Sequence, residues 1–237
     1  ELVVSVTGAL AGNSDIAIGN VVGSNIFNTL LILGLTAVIA PMAITDENRK
    51  RDIPITIGAT FLLVMLGMKH SLFGLGQHDG LSRYEGILFL LIFAAYIYMC
   101  FKFNKQDDQM EEPKKHMSLP VAILLTLGGL AALIIGGDLF VDSATEIARK
   151  IGVSDKFIAV TLLAGGTSLP ELATCIVAAA KKKGQLALGN ILGSNVFNIL
   201  LILGVSATIN PIDFSGMSFV DMGILALSSV LLFTSAY

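Results

Sequence analysis

Long apolar runs alternate with short polar ones along this chain. Residues 16–40, 84–101, 119–151, 186–209 and 219–236 are apolar stretches of about eighteen residues or more. As helices they are long enough to cross ~30 Å of hydrocarbon, and 53–68 predicts a shorter span. Between them lie a turn at Ala11–Asp15, a charged loop at Thr45–Asp52, a Gly- and His-containing loop at Lys69–Arg83, and a polar stretch at Lys102–Met117. The far end of 119–151 turns amphipathic, with Asp138, Asp142 and Glu146 at four-residue spacing on a face that reads as solvated. Two stretches break the pattern. Gly165-Gly166-Thr167-Ser168-Leu169-Pro170-Glu171 interrupts an apolar flank, and Gly-Gly with Pro predicts a discontinuous helix there. Glu1–Leu10 reads as the C-terminal half of a second broken span. Carboxylates and amides are costly in hydrocarbon, so polar residues at this depth mark a candidate functional site.

The same pattern occurs twice. Residues 1–41 align without a gap onto 171–211 at a constant offset of 170, with 19 identities. Twelve of these fall in one sixteen-residue block, Gly19 to Gly34 against Gly189 to Gly204. Glu1 pairs with Glu171, Ser24 with Ser194, Asn28 with Asn198 and Pro41 with Pro211. Chance similarity between apolar segments would match leucines rather than these polar positions. The chain therefore carries a duplicated unit, and a broken-helix motif in both halves points to a transporter binding site. In the first copy Asn20, Ser24 and Asn28 recur every four residues and share one helical face. Gly19 and Gly23 beside them let a neighbouring helix approach closely.

The two blocks resemble the α-repeats of the cation/Ca²⁺ exchanger superfamily, in its prokaryotic sodium/calcium exchanger branch. Those repeats read G-T-S-x-P-E, then G-N-x-x-G-S-N-x-F-N/D. The second repeat here holds both parts, and the first holds everything from the glutamate on. The resemblance covers nearly the whole chain. It implies an all-α, polytopic transmembrane protein with two inverted-topology repeats and discontinuous helices. It implies too that Glu1 and Glu171 are central ligands shared by Na⁺ and Ca²⁺, and that Thr167, Ser168, Ser24, Ser194 and Asn28 help bind cations. Relatives have ten spans, so this chain is expected to lack the first, part of the second and the last. Familiar sodium/calcium exchangers have an aspartate at one of the two motif-ending positions. Here both Asn28 and Asn198 are amides.

Composition agrees with a membrane protein. The 237 residues are 54% hydrophobic and only 14% charged, with a mean hydropathy of +0.79. The net charge of −3 says nothing about partners, and nothing in the sequence points to nucleic acid. Cys100 and Cys175 fall in apolar runs and read as packing residues, while His70, His78 and His116 sit in expected loops. The organisation expected is a first half at 1–103, a cytoplasmic linker at 104–117 and a second half at 118–237. Five spans separate equivalent points of the repeats, and an odd number inverts the second copy. The turn after the second broken helix carries Lys181, Lys182 and Lys183, whereas Ala11–Asp15 carries no basic residue. The positive-inside rule then puts the lysine turn, Arg49–Arg51 and the linker in the cytoplasm of a cell whose inner membrane the chain crosses several times. By its resemblance that cell is prokaryotic.

Inversion brings Glu1, Glu171, Ser24, Ser194, Asn28, Asn198, Thr167 and Ser168 together near the bilayer midplane. All are oxygen donors, which suits a hard cation such as Ca²⁺ with its six to eight oxygen ligands. Two carboxylates balance one Ca²⁺, two Na⁺ or two protons, and mutually exclusive occupancy is what an antiporter needs. The function expected is Na⁺/Ca²⁺ antiport by alternating access, with H⁺/Ca²⁺ or other cation exchange at the same paired glutamates as the alternative. The long run at 119–151 is the moving element that the resemblance implies. A channel fits poorly, because one inverted repeat around a buried acidic pair supplies no continuous lining. No nucleophile–base pair supports an enzyme, and the transported ions are substrates rather than cofactors.

Overall fold

The computed structural model describes residues 1–103, 118–152 and 164–237. In chain order its helices are α1 (Leu2–Leu10), α2 (Ser14–Ile39), α3 (Ile53–Gly67), α4 (Lys69–Phe73) and α5 (Arg83–Phe103). They continue with α6 (Leu119–Lys150), α7 (Ala164–Thr167), α8 (Leu169–Ala180), α9 (Gly184–Ile209) and α10 (Phe219–Ala236). Among the described residues α2, α5, α6, α9 and α10 contain spans long and apolar enough to cross a membrane. Leu91, Leu124 and Leu227 are among the large apolar side chains on their outer faces. Such a surface is costly in water and is the solvated one in lipid. The chain is a multi-pass membrane protein.

The duplication is visible residue by residue. Asn13 Oδ1 accepts from Ile16 N at 3.2 Å and so caps α2, whereas its counterpart Lys183 makes no side-chain cap on α9. Within α2 the backbone widens to a π-turn at Phe27–Ile32, and within α9 it does so at the equivalent Phe197–Ile202. Such turns are rare and gather at functional sites. Just before α2, Gly12 closes the preceding turn with φ at +72°; its counterpart Lys182 adopts +58° despite carrying a side chain.

Hydrogen bonds at both ends establish the inversion. Beside the start of α2, Asp213 N donates to Ser14 Oγ at 3.1 Å, and Asn210 Nδ2 donates to Ala9 O at 3.1 Å. Near the start of α9, Asn48 Nδ2 donates to Gln185 Oε1 at 2.9 Å, and Gln185 Nε2 bonds Ala43 O. Each motif helix thus begins where the other ends, so the two run antiparallel. Between them lies a core that includes Ile18, Val21, Leu63, Phe89, Leu200 and Leu203.

Close approach fixes α5 against α9. A Cβ at Gly86 would lie 2.8 Å from Thr208 N and 2.9 Å from Gly204 O, both backbone atoms that cannot rotate away. Gly86→Ala is therefore expected to lower stability by about 1–3 kcal/mol, read as an earlier thermal transition in detergent. An unchanged transition would mean that the two backbones do not meet at this distance.

Three expectations are corrected. Thr45–Asp52 is not a loop throughout: helix begins at Asp46, passes a π-turn at Asn48–Asp52 and runs into α3. Thr45 Oγ1 accepts from Asn48 N at 3.2 Å, and Arg51 pairs with Asp52 at 2.7 Å. These bonds let a charged segment start a helix. Within Lys69–Arg83, α4 forms and Gly80–Leu81 pairs antiparallel with Ile212–Asp213. The helical break is also narrower than Gly165–Pro170, because α7 and α8 are separated by Ser168 alone. Asp142 and Glu146 are exposed, while the side chain of Asp138 lies outside the described ones. So do the expected linker at 104–117, with His116, and the approach to the break at 153–163.

Candidate cation site

A cavity of about 600 Å³ lies between the two repeats, lined by Glu1, Glu171, Asn190, Gly193, Ser194, Phe197 and Asn198. Pro170 in the first turn of α8 sets its start, which places Glu171 in that same turn. Glu1 occupies the equivalent place as the N-cap of α1. Antiparallel repeats bring these two glutamates to one cavity, and α8 directs the positive end of its dipole there. Asn198 projects from the π-turn of α9, where the extra residue per turn re-aims the side chains that follow.

The remaining expected residues form hydrogen bonds that join the two repeats. Ser168, fully buried, donates to Glu1 Oε1 at 2.9 Å. Thr167 Oγ1 donates to Asn20 Oδ1 at 3.0 Å and lies 3.3 Å from Ser24 Oγ. Because the Thr167 proton goes to Asn20, Ser24 is the donor in that contact. Asn28 does not line the cavity; its Nδ2 donates to Asn195 Oδ1 at 3.1 Å across the repeats. Glu1, Glu171, Ser194 and Asn198 thus share one cavity wall, and Thr167, Ser168 and Ser24 tie to Glu1 and Asn20.

Several polar atoms here have no protein partner. Glu171 Oε2, Asn28 Oδ1 and Asn198 Nδ2 are buried and unbonded. Unsatisfied buried oxygens cost about 1–3 kcal/mol each unless something else meets them. A cation meets them well, since carboxylate and carbonyl oxygens are the ligands of Ca²⁺ and Na⁺.

Other residues of the site carry weaker sequence signals. Asn20 Nδ2 donates to Ser5 Oγ at 3.0 Å and to Glu1 O at 3.3 Å, and so holds the start of α1. Its counterpart Asn190 donates to Cys175 Sγ at 3.4 Å, the same bond with sulfur in place of oxygen. Both asparagines stand in the repeated block, which was signal enough to find them. The far wall of the cavity comes from α5 through Phe93, Tyr96, Ile97 and Cys100. Their spacing of three, four and seven residues marks one helical face. Cys100, read from sequence as a packing residue, therefore faces the cavity.

The description "sodium/calcium exchanger protein" belongs to the family whose sequence model matches residues 1–102 and 121–237. Putative antiporter CaxA of Alkalimonas amylolytica is 41% identical over 220 residues, 89% of this chain and 66% of that protein. Sodium/calcium exchanger MaX1 of Methanosarcina acetivorans is 30% identical over 98% of this chain and 76% of its own length. The sodium-calcium exchanger NCX_Mj, in crystals soaked with Na⁺ and Sr²⁺, superposes with a TM-score of 0.79 at 31% identity. That match covers 99% of this chain and 73% of the other. The chain thus spans about two thirds to three quarters of the length of these relatives. With the family match running along both repeats and the fold shared at this level of identity, the chain belongs to the sodium/calcium exchanger family.

Proposed function

We propose that the chain forms the cation-binding core of an antiporter that exchanges Na⁺ for Ca²⁺ by alternating access. The observation that carries this reading is the meeting of Glu1 and Glu171, one from each inverted repeat, in a single cavity. Hydroxyls and amides complete an oxygen-rich donor set. Ca²⁺ and Na⁺ compete for the same two carboxylates, so one ion leaves as the other enters. The relatives are named as exchangers and antiporters, which supports transport over catalysis. Arg49 to Arg51 and Lys181 to Lys183 gather at one end of the bundle, joined there by the Asn48–Gln185 bond. By the positive-inside rule that end faces the cytoplasm.

A second reading, exchange of H⁺ for Ca²⁺, draws on one observation. Both motif-ending residues are amides, so two carboxylates supply all the site's titratable charge. Radiocalcium uptake into proteoliposomes, driven either by a Na⁺ gradient or by a pH gradient, separates the two. Na⁺-driven uptake supports the first reading, and uptake that follows only the pH gradient supports the second.

Either way, protons oppose Ca²⁺ at these carboxylates, because a carboxylate must be deprotonated to ligate. Apparent Ca²⁺ affinity is expected to fall steadily from about pH 8 to about pH 5, with protons released on Ca²⁺ binding. Affinity flat across that interval would contradict a proton-accessible acidic pair.

A further inference from the structure

Four asparagines near the join of the motif helices occupy equivalent places in the duplicated unit, Asn25 with Asn195 and Asn28 with Asn198. All four are at most 2% exposed. Their hydrogen bonds are nevertheless unequal. Asn28 Nδ2 donates to Asn195 Oδ1 at 3.1 Å, and Asn195 Nδ2 donates to Thr29 Oγ1 at 2.8 Å. The mirrored chain would run from Asn198 Nδ2 to Asn25 Oδ1, then from Asn25 Nδ2 to residue 199. That residue is Ile199, which has no acceptor, and Asn25 Nδ2 turns back to Val21 O at 2.7 Å. In this mirrored link both Asn25 Oδ1 and Asn198 Nδ2 are left without a protein partner. Thr29 in one repeat and Ile199 in the other thus decide which amide is tethered.

The difference matters for cations. A carboxamide attracts a cation through its oxygen and repels it through its NH₂ group. With Nδ2 held by Asn195, the one unbonded polar atom of the Asn28 side chain is Oδ1. We propose that Asn195, anchored by Thr29, is a positioning residue that fixes the Asn28 carboxamide, just behind the cavity wall, so that its oxygen rather than its NH₂ group is presented to an entering cation, while Asn198, in the wall itself, has no such tether. The proposal rests on the cation-exchange reading above and deepens it. Preorganised ligands bind more tightly because less ordering accompanies binding. The first-repeat amide is the fixed one, and Asn198 beside Glu171 is the adaptable one.

Equilibrium binding of radiocalcium to the full chain in nanodiscs, with thermal melting alongside, tests this. Asn195→Ala is expected to raise the Ca²⁺ Kd about tenfold, as loss of an outer ligand-orienting group typically does. Thr29→Val should act in the same direction, and Thr29→Ser, which keeps the hydroxyl, should bind like the original chain. Ile199→Thr supplies the missing acceptor, lets Asn25 swing to it and accept from Asn198, and is expected to tighten binding about threefold. An unchanged Kd in Asn195→Ala, with only a lower melting point, would make Asn195 a structural prop and overturn the proposal. Should Asn195→Ala fail to fold, the comparison of Thr29→Val with Thr29→Ser decides, and equal Kd values there overturn it. If the original chain bound no Ca²⁺ at all, the exchange reading itself would fall, and the proposal with it.

Discussion

Glu171→Gln is expected to abolish Ca²⁺ transport while leaving expression and fold largely intact. Glutamine keeps the shape of the side chain and removes half the site's negative charge. Losing one member of a dehydrated charge pair costs about 2–5 kcal/mol, or about thirty- to several-thousand-fold in affinity. The fold should tolerate the change, because Glu171 Oε2 makes no bond to the protein that would be lost. The check is paired: radiocalcium uptake in proteoliposomes and a melting curve in detergent. Near-normal uptake would reassign Glu171 to a cap at the start of α8. Joint loss of uptake and of a cooperative melt would make its role structural.

The second large effect concerns membrane voltage. With Asn28 and Asn198 both amides, the site's two carboxylates balance one Ca²⁺ or two Na⁺. A third Na⁺ would bring an uncompensated positive charge into a dehydrated site, which is costly without another anion. Two-for-one exchange moves no net charge, so uptake should ignore a potential clamped with K⁺ and valinomycin. Asn198→Asp adds an ionisable group in the same cavity wall. That variant is expected either to hold a third Na⁺, making uptake voltage-sensitive, or to carry a proton, making it pH-sensitive. Voltage-sensitive uptake by the unaltered chain would contradict the two-for-one stoichiometry.

Much of the architecture was legible in the sequence, and for physical reasons. Apolar runs closed by Asn13, Pro41 and Pro211 delimit the motif helices to within a few residues. An odd number of intervening spans required the antiparallel arrangement that the bonds at Ser14 and Gln185 display. Gly165, Gly166 and Pro170 announced the break, although the backbone needs only Ser168 to make it. Dense charge hides the capped start of the helix that leads into α3, and Thr45 three residues before Asn48 is the one signal of it. A two-residue ladder such as Gly80–Leu81 with Ile212–Asp213 leaves no periodicity to detect.

Within the candidate site, the polar residues stood out because hydrocarbon makes them costly. The apolar wall did not, since Phe93, Tyr96 and Ile97 look like any lipid-facing stretch until the helix is oriented. Neither π-turn was visible: Phe-Asn-Thr-Leu-Leu-Ile and Phe-Asn-Ile-Leu-Leu-Ile read as continuous α-helix. The Asn28–Asn195 bond was out of reach for another reason. It joins residues 167 positions apart, and only the three-dimensional meeting of the repeats reveals that one copy is tethered and the other is not.

The central claim is that the Glu1–Glu171 cavity exchanges cations rather than conducting them. The most direct measurement is radiocalcium uptake into proteoliposomes loaded with Na⁺ and diluted into Na⁺-free medium, with choline-loaded vesicles as the control. Uptake that requires internal Na⁺, reverses when the Na⁺ gradient is reversed and vanishes in Glu171→Gln is the predicted result. Equal uptake in Na⁺-loaded and choline-loaded vesicles, with no imposed pH gradient, would contradict it and describe a passive pore.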